Sequence, residues 1–417
     1  MMLSWEYPPV LVGGLGRHVH ALAEALARAG HEVTVITRYA DGAAQDEVVA
    51  GVRVIRVPED PPTFPFGTEL LAWTMAFNHA LTRAALRVAE QSPPDVVHAH
   101  DWLVTHAATT LKHHLRVPLV ATVHATEAGR HQGWLPEPMN RTIHSVEWWL
   151  TYQARRVIVC SEYMRWEVTR LFDLPPDSVD VIPNGVALGR WAGQQDRVAE
   201  VRSRFAGSGP LIVFAGRLVY EKGVHDLLTA MPRLRRRHPG IRLVVAGVGP
   251  RDEELRAQAR ALRLGRSVHF TGFVAEEELA GLAAAADCAV VPSIYEPFGM
   301  VALEAAAAGT PLVVADVGGL RELVDHGITG LRFTPSDVAG LAAAVDALLS
   351  DEVLARRMSR AARTEVTHRY AWPRIAERTC GTFARAIREE LALLAERPAV
   401  PPLAPVMREG NLLATGD

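Results

Sequence analysis

The chain is poor in the groups that build covalent or metal scaffolds. Its 417 residues include three cysteines, Cys160, Cys288 and Cys380, too far apart for zinc-ligand spacing and too few for a disulfide framework. Cys160 and Cys288 lie in apolar runs, where a thiol acts as a small hydrophobe. No apolar run reaches the roughly 18 residues that span a bilayer. The opening MMLSWEYPP has neither the basic nor the apolar stretch of a signal peptide, so the expectation is a soluble chain kept in the cytoplasm. A strong charge of one sign is also missing: the formal net charge is −3, without the basic excess of a general nucleic-acid binder. Lysine is scarcest of all. Of 44 basic residues only Lys112 and Lys222 are lysine; a coding bias toward arginine explains this, and it draws attention to any loop that keeps a compact ammonium.

What is present is ordinary for packed domains: 49% hydrophobic residues, with 32 Gly and 27 Pro. The length suits two or three domains. Short apolar runs alternate with amphipathic helical stretches, which implies parallel sheets covered on both faces. The first half predicts strands at Met2–Trp5, Val33–Thr37, Val52–Val57, Asp95–Ala99, Leu119–His124, Val157–Cys160 and Val179–Ile182. After a looser stretch at 187–209 the pattern restarts, with strands at Leu211–Ala215, Arg242–Ala246, Val268–Thr271, Cys288–Pro292 and Leu312–Ala315. The fold class is α/β, two Rossmann-like domains facing across a cleft, where ligands bind beyond the carboxyl ends of the strands. The expected units are 1–190 and 205–372, a helix over 373–396 crossing back to the first, and a flexible Pro- and Gly-containing tail over 398–417.

Four clusters carry chemistry. Gly13-Gly14-Leu15-Gly16 leads from the first strand into a helix and brings backbone N–H groups and the helix dipole to an anion; the alternative is a tight turn. Its spacing is not that of a dinucleotide fingerprint, and Arg38 stands where that fingerprint needs a carboxylate. Gly216-Arg217 and Lys222-Gly223 bracket the next such loop, so that Arg217 and Lys222 can clamp a diphosphate; the alternative is a solvated pair. In Tyr295-Glu296-Pro297-Phe298-Gly299-Met300-Val301 the N–H groups of Gly299, Met300 and Val301 point out of a helix, and Glu304 lies about one and a half turns in. Glu296 is free to reach a sugar and Glu304 can grip paired hydroxyls; a capping acid plus an exposed helix glutamate is the plain reading. His124, with Glu127 and Arg130, ends a strand in a polar loop suited to a sugar. His98, His100 and Asp101 resemble metal ligands, but the two histidines, at alternate positions of a strand, point the same way with no further ligand in sequence, so a structural or cleft-lining role is expected. Trp134, Trp148 and Trp149 could stack on sugars or pack a core.

This ordered set, with Pro183-Asn184-Gly185-Val186 between its halves, resembles the retaining glycosyltransferases of the two-Rossmann (GT-B) architecture, family 4 and its glycogen-synthase-like members, over about residues 3–395. Ser4-Trp-Glu-Tyr-Pro-Pro, Gly-Gly-Leu-Gly-Arg-His and His124-Ala-Thr-Glu-Ala-Gly-Arg-His make the nearer resemblance one to actinobacterial α-1,4-glucosyltransferases of glycogen and methylglucose polysaccharide synthesis. The resemblance implies a nucleotide-glucose donor, UDP- or ADP-linked, and an α-glucan or oligosaccharide acceptor. Gly13, Gly14, Arg217, Lys222, Phe273, Val274, Glu296, Phe298, Gly299, Met300, Val301 and Glu304 would surround the donor. His124, Arg217, Lys222 and Glu296 would be catalytic, and Glu127 and Arg130 would meet the acceptor. Leu11 replaces the lysine that starch-synthase-type enzymes carry two residues before the glycine pair, which places the chain on the family 4 branch.

The implied reaction retains anomeric configuration, the leaving phosphate taking the acceptor's proton, with no cofactor and no metal; the chain has no Asp-x-Asp motif. Neither nucleic acid nor stable membrane insertion is expected, and homo-oligomerisation is left open. Within the class the alternatives are a maltose-1-phosphate synthase and a lipid-acceptor mannosyltransferase. The latter wants a membrane-docking face, for which Thr63–Met75 is apolar but poor in basic residues. A nucleotide-sugar 2-epimerase is the alternative from another class.

Overall fold

The computed structural model describes residues 1–11, 13–59, 64–192, 195–207 and 209–396. The expected tail at 398–417 lies outside the described residues, as do Val12 and Thr63.

Two sheets organise the chain. The first contains β1 (Met2–Leu3), β2 (Val33–Arg38), β3 (Asp46–Val49), β4 (Val52–Val57), β5 (Val97–His100), β6 (Leu119–Val123), β7 (Arg156–Val159) and β8 (Val179–Val181). Their order is β3-β4-β2-β1-β5-β6-β7-β8, parallel except for the β3–β4 hairpin. The second contains β9 (Leu211–Ala215), β10 (Arg242–Ala246), β11 (Val268–Gly272), β12 (Cys288–Val291), β13 (Leu312–Ala315) and β14 (Leu331–Phe333), in the order β11-β10-β9-β12-β13-β14. The central strands β6 and β12 are buried along their whole length, as a parallel sheet covered by helices requires. The strand order reverses between β1 and β5 in one sheet and between β9 and β12 in the other. The loops leaving those strands therefore open into the crevice where such sheets bind ligands.

The strand β3 escapes the periodic pattern because it buries no face; it is an exposed edge held by the tight turn at Ala50-Gly51, both at positive φ. The strand β1 is only two residues long, yet Leu3 is fully buried between β2 and β5. The segment weighed above as a membrane face packs inward: Phe66 stacks on Trp5 at 5.1 Å and meets Trp73 edge-on at 4.9 Å, and Trp73 is buried. No helix among the described residues is long and apolar enough to cross a membrane.

Two crossings join the halves. The loop after β8 runs through Asn184-Gly185-Val186, and Val186 donates its N–H to the Tyr370 carbonyl at 2.9 Å. There the chain returns into the helix Trp372–Glu396, which packs on the helix Gly14–Arg28. A Cβ on Gly185 would lie 2.6 Å from the Trp372 ring, so the two crossings touch only because position 185 has no side chain.

Candidate active site

The loop after β1 is shaped by a buried acid. The carboxylate of Glu6 accepts the Gly13 N–H at 3.1 Å, and a Cβ on Gly16 would approach Glu6 and Leu11 at 3.1 Å or less. Folded over that acid, Gly14 opens a helix whose first N–H groups have no partner within the helix. One turn on, on the same face, come Arg17 and His18. The ring of His18 lies 4.9 Å from His124, edge-on, and 5.7 Å from His100.

The next two strands deliver the other rings. Asp101, held at φ +61 after β5, accepts the His124 backbone N–H at 2.8 Å, which fixes where the chain leaves β6. His100 Nδ1 and His124 Nε2 are 3.2 Å apart, and His98 Nε2 is 2.7 Å from the Thr122 hydroxyl. Burial, with the neighbouring rings, holds His18, His98 and His100 far below the ordinary imidazole range. Burial and then Arg130 push His124 down to about 3. All four are neutral near pH 7. The third ligand that the sequence lacked around His100 is supplied by tertiary structure. Ring nitrogens of His18, His100 and His124 all lie within 4.8 Å of one another, the one such group among the described residues with the spacing to hold a metal ion.

Opposite them stand the loops after β9 and β12. Lys222 ends a single helical turn, Tyr220–Lys222; the following Gly223 sits at φ +67, where a Cβ would meet the Pro292 carbonyl oxygen at 1.9 Å. That close approach presses the lysine loop onto the end of β12, and Ile294 donates its N–H to the Glu221 carbonyl at 2.7 Å. The result is a Lys222 Nζ to Glu296 Oε2 pair at 2.7 Å, with the Ser293 hydroxyl donating to the same oxygen at 3.1 Å. Arg217 lies nearby, half exposed and 3.6 Å from Glu221.

Gly299, at φ +105, caps the helix Met300–Ala308. A Cβ on Gly14 would be 3.5 Å from the Met300 side chain, so the starts of two helices, one from each half, lie against each other. Glu304, buried a turn further in, pairs with Arg17 of the other half at 2.5 Å, and its second oxygen, Oε2, has no partner. Burial pushes its carboxyl up to about 7 against the pull of Arg17. A latch closes one end. Tyr295 donates its hydroxyl to Glu167 at 2.9 Å, and Glu167 also accepts from Thr126 at 2.5 Å. Gly129 passes so close that a Cβ would lie 2.4 Å from the Tyr295 oxygen.

These contacts join Gly13 to Glu6, Gly14 to Met300, Lys222 to Glu296, Arg217 to Glu221 and Glu304 to Arg17, and bring His124 against His18 of the helix that Gly14 opens. Val301 and Val274 are partly buried against an apolar cluster drawn from both halves, while Phe273 is 72% exposed beyond β11. Two expectations need correction. Phe298 points away from the groove; it is buried against Tyr370, ring edge to face at 6.0 Å, because the turn into Gly299 needs an apolar anchor. Glu127 is also buried, its carboxylate taken by Asn140 at 2.6 Å and facing Arg130 and His131, while its N–H is held by Glu147. It braces the histidine loop rather than presenting an oxygen to an acceptor. Arg130, partly exposed, acts on Asp101 and His124 through its charge. Of the tryptophans, Trp134 is 72% exposed and Trp148 stacks on Tyr152 at 5.2 Å. Arg17, His18 and Tyr295 were not singled out from sequence; for Arg17 and His18 the usable signal was their place one turn after Gly14.

Two parallel sheets whose switch points face each other, lined by helix N-termini and a lysine–glutamate pair, define a glycosyltransferase of GT-B architecture. Residues 12–190 match Glycosyltransferase Family 4 and residues 197–365 match Glycosyl transferases group 1; the chain belongs to this glycosyltransferase family. It is 48% identical over 402 residues to a Mycobacterium tuberculosis glycogen synthase, covering 94% of this chain and 95% of that one. It is 32% identical to a Nocardia farcinica D-inositol 3-phosphate glycosyltransferase, covering 90% and 86%. Among solved structures, the sucrose-phosphate synthase of Thermosynechococcus elongatus superposes with a TM-score of 0.80 at 27% identity, covering 94% and 98% of the two chains.

Proposed function

We propose that the protein is a retaining glucosyltransferase that moves glucose from a nucleotide-glucose to the non-reducing end of an α-1,4-glucan or related oligosaccharide. The observation that carries this reading is the Lys222–Glu296 pair at 2.7 Å, formed by the loops after β9 and β12 in the half whose Met300 meets Gly14 of the other. The similarity to a mycobacterial glycogen synthase over nearly the whole of both chains supports glucose and a glucan. In this reading Arg217, Lys222 and the N–H groups of Gly14, Gly299 and Met300 hold the diphosphate. Glu304 takes the ribose hydroxyls and Glu296 the glucose hydroxyls. The bond from the anomeric carbon to the phosphate oxygen breaks as charge builds on the diphosphate. The acceptor hydroxyl attacks from the same face and passes its proton to that phosphate oxygen.

The test is incubation of the purified protein with UDP-glucose or ADP-glucose and a malto-oligosaccharide, product masses being recorded. Products longer by one hexose support the reading. Product only with glucose 1-phosphate as acceptor supports maltose-1-phosphate synthesis instead, and conversion of the donor's own sugar supports an epimerase. Because cationic side chains and helix dipoles meet the diphosphate, activity is expected to survive exhaustive treatment with EDTA unchanged; a loss restored by a divalent ion would return attention to the His18–His100–His124 cluster.

The buried carboxyl gives a pH signature. Glu304 is raised from 4.5 to about 7, so the folded chain binds an extra proton between those values. That contribution to stability is lost as pH rises through about 7. Donor binding runs the other way, since a ribose needs the ionised acceptor. Donor KM is expected to fall about tenfold from pH 6 to pH 8, the worth of one charge-assisted hydrogen bond. Glu304→Gln should hold KM at the acid-side value across the range, as read from initial rates.

A further inference from the structure

A cavity of about 600 Å³ opens behind the Glu296–Gly299 loop, walled by the start of the helix Glu162–Phe172, the end of β8, Phe298 and the helix Trp372–Glu396. Arginine dominates its rim: Arg165, Arg369, Arg374, Arg378 and Arg385 all line it. Three of these are neutralised locally. Arg165 pairs with Glu162 at 2.6 Å, Arg385 with Asp180 at 2.7 Å, and Arg369 with Glu365. Arg374 and Arg378, one turn apart on the same face of the helix, are not. Arg374 reaches the His368 carbonyl at 3.5 Å and Arg378 the Val181 carbonyl at 2.5 Å, and neither forms an ion pair among the described residues. The carboxylate whose charge acts on Arg378 is Asp180, and its oxygens already serve Arg385, Arg156 and Thr382.

We propose that this cavity binds a small phosphate monoester of about sugar size, its phosphate gripped by Arg374 and Arg378. Guanidinium forks meet phosphate oxygens two at a time and with geometric selectivity. The remaining volume, within the roughly 300–1,000 Å³ of small-molecule sites, is floored by Phe298 and Tyr370, which suits a sugar face rather than a second anion. Like charges crowd here without an anion: partial desolvation of an otherwise exposed side chain, then Arg374 and Arg369, depress the Arg378 guanidinium below its ordinary value, and an anion relieves that repulsion. The occupant would touch both halves of the molecule. Ser161 on its wall donates to the Pro297 carbonyl at 2.7 Å, one residue from Glu296, and Glu322 on its other wall accepts the N–H groups of Glu162 and Tyr163.

The test is calorimetric titration and thermal denaturation of the full chain with fructose 6-phosphate as probe, inorganic phosphate and fructose as separate arms. Binding should appear with the ester, be weaker with inorganic phosphate and be absent with fructose. The Arg374→Gln/Arg378→Gln double variant should weaken the ester about a hundredfold, each charge-assisted contact being worth about tenfold, and should keep its unliganded melting point because both side chains are exposed. Lys222→Gln, on the far side of the Glu296 loop, should bind the ester as the parent does. No binding at millimolar ester, binding unchanged in the double variant, or binding lost in Lys222→Gln would each overturn the proposal. Equal affinity for inorganic phosphate would overturn the sugar-sized occupant.

Discussion

Lys222→Ala should lower kcat by about 10²–10³, the usual cost of removing one preorganised charge from a developing anion, while leaving the fold in place. The lysine is placed without recourse to its own side chain. Gly223 at positive φ and the contact of its backbone with Pro292 set the loop, and the Glu221 carbonyl ties it to Ile294. Truncation therefore removes a charge and little packing. Glu296 keeps the Ser293 hydroxyl at 3.1 Å but is largely covered, so the lost pair costs stability on the order of 1–3 kcal/mol. The loss should appear in kcat more than in donor KM, because charge on the diphosphate grows as it leaves. Lys222→Arg should recover only part of the rate, since a planar fork does not reproduce a compact ammonium in contact with both Glu296 and a phosphate. A melting point within a few degrees of the parent together with kcat within tenfold would show that the diphosphate is held by other groups.

How far the sequence foretold this site depended on whether a contact is local. Glycines at loop-to-helix junctions were legible because the chain needs them for a conformation or an approach: Gly223 and Gly299 take positive φ, and Gly14 faces Met300. Lys222 stood out by rarity. The partners of these residues were not legible, because each comes from another segment. Arg17 meets Glu304 across 287 positions, and Tyr295 meets Glu167 across 128. Phe298 was misread for the same reason: adjacency to Gly299 suggested the groove, while the ring it packs on, Tyr370, lies 72 residues further along the chain in the returning segment. Burial also inverted one role. Glu127 looks like a polar loop residue in sequence, yet it is 7% exposed and carries the wall on which Arg130 and the histidine loop rest. In the fold, the strands expected from sequence lie within a residue or two of their observed bounds, whereas β3, with no face to bury, and β14, only three residues long, were not foreseen.

Those long-range contacts set the expectation for His124→Ala, a fall in kcat of roughly 10–10²-fold, the cost of one hydrogen bond lost from a desolvated reacting sugar. The imidazole is held from two directions: its backbone N–H by Asp101 at 2.8 Å and its Nε2 beside His100 Nδ1 at 3.2 Å. With Nε2 committed to His100, Nδ1 is the nitrogen left for a ligand, and whichever of the paired nitrogens carries the proton fixes the tautomer that Nδ1 presents. Burial and Arg130 keep the ring neutral down to about pH 3, so His124 can orient a sugar hydroxyl but has no proton to exchange as an acid in the working range. Two readouts separate this from general acid–base chemistry. The parent kcat profile should be free of a limb near pH 6.5, and His124→Asn, which keeps one donor and one acceptor at a shorter reach, should lie between parent and alanine. A limb near pH 6.5 that disappears in His124→Ala would make the ring a titrating catalyst and would require the groove to be far wetter around His18, His100 and His124 than their packing allows.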